Sequence, residues 1–140
     1  MKTLNPYLVF NGNCREAMLY YQECLGGKLH MQTIAESPLS ENMPEKMRDC
    51  ILHASLTCDQ LCILASDMVG EMGLIRGNSV ALMLDCANAH ELTRLSDKLS
   101  EGGRILHPME TTKWGAVLCD FTDKFGNNWI LHCDSKKSII

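Results

Sequence analysis

An internal repeat constrains this chain more than any other feature of its 140 residues. Asn13 followed by Glu16 reads as a helix start, with the asparagine side chain accepting a backbone N–H and the glutamate completing a box. Asn88 and Glu91 repeat that pair 75 positions later. Behind the first start, Ala17, Met18, Tyr21, Cys24 and Leu25 fall at the spacing of a buried helical stripe; behind the second, Leu92, Leu95 and Leu99 do the same. Gly26-Gly27 closes one helix and Gly102-Gly103 the other.

Apolar runs flank each helix. The first copy has strands at Tyr7–Phe10, Lys28–Ile34, Cys50–Thr57 and Leu61–Ser66, with a polar, proline-bearing segment at Ala35–Arg48. The second copy has Val80–Asp85, Arg104–His107, a proline-bearing loop, and a hairpin of Ala116–Thr122 and Asn128–Cys133. The order strand, helix, strand, strand, strand occurs twice, and two copies are too few for a solenoid. The expected class is α+β: two tandem βαβββ modules, at about 4–68 and 78–134, in one domain spanning 1–140. The polar stretch from Asp134 to Ile140 is expected to fray.

Charge removes whole classes of partner. Thirteen basic against seventeen acidic residues leave a net charge of -4, with no surplus to neutralise nucleic-acid phosphates or an anionic membrane. No apolar run is long enough to cross a bilayer. The start, Met-Lys-Thr-Leu-Asn-Pro, turns polar at once, and a cytoplasmic location is expected. Eight cysteines, at 14, 24, 50, 58, 62, 86, 119 and 133, form no C-x-x-C pair. Reduced and set in apolar patterns, they read as small core residues rather than a disulfide framework or zinc site.

Several stretches together resemble the vicinal oxygen chelate superfamily, which includes glyoxalase I, extradiol dioxygenases and bleomycin-resistance proteins, and within it the PhnB-like branch. They are Pro6–Met18, Tyr20-Tyr21, Leu25–Gly27, His53-Ala54, Ala65–Asp67, Gly77-Asn78, Trp114–Ala116, Thr122–Gly126 and Trp129. The resemblance implies a curled mixed sheet from each module, a trough with a ligand cavity, and a homodimer. In metal-dependent relatives, a histidine on the first strand of each module and a glutamate on the last hold the ion. Carried over, those positions fall at Pro6 or Tyr7, at Ile63, at Asn78 or Ser79, and at Ile130. None offers imidazole or carboxylate, so no metal and no other cofactor is expected.

The expected ligand-binding residues are therefore Tyr7, Ile63, Ser79, Trp114, Ile130 and His132, around a small molecule. His53 is the candidate catalytic residue: alternation places it with Ile51 and Ser55, opposite Leu52, Ala54 and Leu56. It serves as a general base, or as a hydrogen-bonded structural histidine. His132 shares a face with Asn128 and Ile130, and a relocated metal site of His53, His132 and Asp120 is a further arrangement. Trp114 either caps a ligand or packs against a partner subunit. Trp129 reads as core, and Asp123–Gly126 as a hairpin turn. His30, His90 and His107 show no convergent partner. Ala35–Arg48 is a flap or a plain connection. Three functions remain: a small-molecule binding protein, an enzyme on a small oxygenated metabolite, and a dimer whose cavity is filled by its own side chains.

Overall fold

The repeat builds two four-stranded mixed sheets, each covered on one face by one helix. A computed structural model describes residues 1–134, so the expected fraying lies, from residue 135 on, outside the described residues. The chain divides into two units, Met1–Ile75 and the part from Arg76 onward. The first unit holds β1 (Tyr7–Val9), α1 (Cys14–Leu25), β2 (Lys28–Thr33), β3 (Ile51–Cys58) and β4 (Leu61–Ser66). Its sheet order is β1-β4-β3-β2, with β1 parallel to β4 and the other neighbours antiparallel. The second unit holds β5 (Leu82–Asp85), α2 (Ala89–Leu99), β6 (Arg104–Thr111), β7 (Ala116–Thr122) and β8 (Asn128–Asp134). Its order, β5-β8-β7-β6, repeats the first, with β5 parallel to β8. The α+β, duplicated βαβββ expectation holds.

Each helix stripe reaches the core as its spacing predicts. Cys14, Ala17, Met18, Tyr21 and Cys24 of α1 are buried, as are Ala54, Leu56, Ile63 and Ala65 on the sheet face it covers. In the second unit Leu92, Leu95 and Leu99 are buried, together with Cys119, Phe121, Trp129, Leu131 and Cys133. The second glycine of each pair has a shared reason: a Cβ on Gly27 would run into the Thr57 carbonyl oxygen, and one on Gly103 into that of Thr122. Only a residue without a side chain lets the helix exit pass so close to the sheet. Ala35–Arg48 contains two 3₁₀ turns, Pro38–Asn42 and Glu45–Met47.

The two helix starts differ, against expectation. Asn88 does cap α2: its Oδ1 accepts from the Glu91 N–H at 2.8 Å, while Glu91 Oε1 accepts from the Ala87 N–H at 3.0 Å. Asn13 makes no side-chain cap bond. Asp67, buried at the end of β4, takes that role from afar: its Oδ1 accepts from Gly12 N–H (2.9 Å) and Cys14 N–H (3.0 Å), its Oδ2 from Ile51 N–H (2.8 Å). A carboxylate with three N–H donors outcompetes a neutral amide for the same groups.

Two expected boundaries move by two residues or more. The first strand of the second unit starts at Leu82, so Asn78, Ser79 and Val80 precede it. β6 does not stop at His107 but runs through Pro108 to Thr111, with register shifts between Ile105 and His107 and between His107 and Glu110. An edge strand with bulges tolerates a proline because no partner needs its N–H. A further shift sits where Gln32 faces His53 and Thr33 faces Ile51. That extra residue turns Ile51 inward, so it is buried with Ala54 and Leu56 instead of sharing the face of His53.

Asp67→Ala is expected to destabilise the protein by about 3 kcal/mol, because it strands buried donors. Asn88→Ala should cost about 1 kcal/mol, and Asn13→Ala under about 0.5 kcal/mol. Urea denaturation of the three variants checks the ranking.

Candidate functional site

Because successive strand residues point to opposite faces, the face each helix leaves uncovered carries a definite set of side chains. In the first unit, Tyr7 lies opposite Leu64, Leu64 opposite Ser55, and Ser55 opposite His30. His53 stands beside them, opposite Gln32. Ile63 is not among them: it pairs with Leu56 and is 4% exposed, under α1. The expectation that Ile63 faces the ligand is one residue out of phase, and Leu64 holds that place.

The second unit's open face carries the denser chemistry. One row across the strands reads Asp85, His132, Leu118, Glu110; the next reads Met83, Ile130, Asp120, His107. Ser79 falls outside both, since β5 has not begun, and Met83 is the residue opposite Ile130. Each row contains a histidine–carboxylate pair. His132 Nδ1 lies 2.8 Å from Asp85 Oδ1, and His107 Nδ1 lies 2.7 Å from Asp120 Oδ1. An ionised carboxylate only accepts, so each Nδ1 donates and each Nε2 is left to face another group.

A concavity of about 350 Å³ opens over this face, within the size range of small-molecule sites. Its lining is His107, Pro108, Glu110, Thr112, Leu118, Cys119, Asp120 and Ile130. Leu118 and Ile130 supply an apolar floor; Asp120, Glu110 and His107 supply polar walls. Of the expected ligand-binding residues, Ile130 is in the lining; His132, opposite Leu118 on β8, is not. Trp114 is 79% exposed on the turn joining β6 and β7 and is not part of the lining. Trp129 is core as expected, its Nε1–H donating to buried Asp123 Oδ2 at 2.8 Å.

Of the relocated metal arrangement, His53 lies in the first unit, and in the second His132 and Asp120 are not bonded to each other: Asp85 holds His132, and Asp120 holds His107. The family's metal positions do not fit an ion either. The open face carries Tyr7 and Leu64 in one unit and Met83 and Ile130 in the other. Among the described residues, no three His, Cys, Asp or Glu side chains converge as metal ligands. His107, for which the sequence showed no partner, is the residue that reasoning missed. Its signal was the alternation Leu118, Asp120, Thr122 on β7, but the two shifts in β6 hid which residue stands opposite.

The eight cysteines are all free thiols, five of them buried. Burial first, then the nearby Asp67 charge, pushes the Cys14 thiol up to about 12. Burial and then Glu91 do the same to Cys86, also to about 12. Burial likewise raises Cys119.

With two βαβββ units, each sheet curling under a single helix and open on its other face, the chain has the architecture of the glyoxalase and bleomycin-resistance proteins. It belongs to the family described as 3-demethylubiquinone-9 3-methyltransferase, whose profile matches residues 2–132, the PhnB-like branch of the vicinal oxygen chelate superfamily. It is 33% identical to Protein YjdN of Escherichia coli K12, over 92% of this chain and 93% of that protein. Among solved structures it is similar to protein PA1353 from Pseudomonas aeruginosa, at a TM-score of 0.85 and 35% identity over 96% of this chain and 98% of the other. It also resembles the putative 3-demethylubiquinone-9 3-methyltransferase, PhnB protein, from Bacillus cereus. There the TM-score is 0.72 and the identity 23%, over 94% and 99% of the two chains, a likeness of fold.

The raised thiols set a pH dependence. A folded-state value near 12 against 9.0 for an ordinary thiol stabilises the native state fully below pH 9, a contribution lost as the pH climbs toward 12. Thermal melts should therefore fall across that window. At pH 8, iodoacetamide followed by mass mapping should leave Cys14 and Cys86 unlabelled while half-buried Cys62 reacts.

Proposed function

We propose that this protein binds a small organic molecule on the open face of β5–β8, without a metal ion, as a homodimer. The observation that carries this reading is the concavity floored by Leu118 and Ile130, set where metal-dependent relatives place a ligand to the ion. An apolar floor with a few directed polar groups is the usual make-up of a small-molecule site.

Support for the homodimer comes from the surface of the same unit. Every residue of β6 is exposed, and Val80, Met83, Ile105, Leu106 and Met109 leave apolar side chains in water. A patch of that kind is what a second subunit covers.

A second reading is favoured by one observation, the His107–Asp120 pair in the cavity wall. There the protein is an enzyme acting on a small oxygenated metabolite, with His107 Nε2 as general base in the place first given to His53. The methyl transfer in the family's description finds no support in the glycines. Both pairs close helices, and neither opens one toward a donor's charged groups.

Melting curves after chelation, then with nickel, zinc, manganese or iron(II) added singly, test the metal-free reading. Shifts within about 1 °C are expected; with mass-action stabilisation, a resident metal raises Tm by several degrees. A shift of that size, lost in His132→Ala or His53→Ala, would overturn it. Light scattering should return a dimer.

A further inference from the structure

Resting on the reading of this cavity as a ligand site, we infer that its ligand is an organic cation, a primary amine on a small apolar body. Asp120 and Glu110 both line the cavity, and among the described residues no lysine or arginine does. The cations on the same hairpin stand elsewhere: Arg104 is opposite Thr122 at the far end of β6, and Lys113 is in the turn. Among the described lining residues, His107 is the group that can offset the carboxylates. With His107 neutral, the wall carries two negative charges; with it protonated, one remains. The described lining is net negative in either state, and the neighbouring row adds a third carboxylate, Asp85, beside His132.

These carboxylates also have capacity to spare. Glu110 has no hydrogen-bond or ion-pair partner among the described residues, and Asp120 uses Oδ1 for His107 while Oδ2 has none. An ammonium group has three donors and no acceptor, which suits one oxygen from each. The floor below them is apolar, so the rest of the ligand buries a ring or chain on Leu118 and Ile130. Thr112 offers a hydroxyl at the rim. An anionic ligand would meet like charge on the wall, with no lining group built to receive it. The mouth is open to solvent, so each charge contact is modest, and together they favour an amine over its neutral isostere about tenfold.

The probes are phenethylamine, phenethyl alcohol and phenylacetate, which share a ring and differ in charge. Each is titrated while the methyl NMR signals of Leu118 and Ile130 are followed. Phenethylamine is expected to saturate those shifts at about tenfold lower concentration than the alcohol, with phenylacetate weakest. Glu110→Gln, at an exposed position, should erase most of that advantage. Equal binding of amine and alcohol, a preference for phenylacetate, or an advantage untouched by Glu110→Gln would overturn the cation inference while leaving the cavity as a ligand site. No shift at Leu118 or Ile130 with any probe would overturn both.

Discussion

Helix α2 seals one face of its sheet with Leu92, Leu95 and Leu99, and that seal commits the other face to function. Strand side chains alternate, so once Cys119, Phe121, Trp129 and Leu131 are bound to the helix side, their neighbours have no choice of direction. Leu118, Asp120, Ile130 and His132 must then stand together on the open side, as the register of β7 and β8 shows. The cavity lining is a consequence of core packing before it is a property of any single residue. A slip of one residue would bury Asp120 and His132 under α2, at a desolvation cost the core could not offset.

The two units reach the same topology with different fastenings. In the second, a local capping box of Asn88 and Glu91 starts the helix. In the first, Asp67 comes from the far end of β4 and holds the β1–α1 loop and the start of β3 at once. Asp123 plays a comparable part in the β7–β8 turn, accepting from Phe125 N–H, Asn127 N–H and Trp129 Nε1–H. These buried carboxylates act as clasps between segments, which removes them from the search for chemistry. What remains for chemistry is the set on the open faces, and there the histidine–carboxylate pairs stand out. His107 is 80% exposed on its side chain, and ion pairs so placed add little stability. A stabilising role therefore does not account for the pair, and this is a ground for proposing that it serves a ligand.

Most of the architecture was legible because it is written in periodicities. The helical stripes, the glycine stops and the 75-residue repeat led to two βαβββ units, and alternation on β8 put Ile130 and His132 on one face. What stayed hidden lies at irregularities. The insertion opposite Gln32 and Thr33 moved Ile51 into the core, and the shifts in β6 concealed the meeting of His107 with Asp120. Ile63 was misplaced by one residue because the parallel pairing of β1 with β4 sets its phase through Leu64, across a gap of more than fifty residues. Asp67 was invisible as a cap for the same reason: its partners are distant in sequence. Periodicity reports what is near in sequence, and the site is made of what is far.

The central claim is that the open face of β5–β8 is where this protein meets a small molecule. Crystals soaked with a library of small organic fragments test it most directly. The account predicts bound fragments over Leu118 and Ile130, within reach of His107, Asp120 and Glu110. Fragments seated only on the first unit, or a concavity closed by the protein's own side chains, would contradict it.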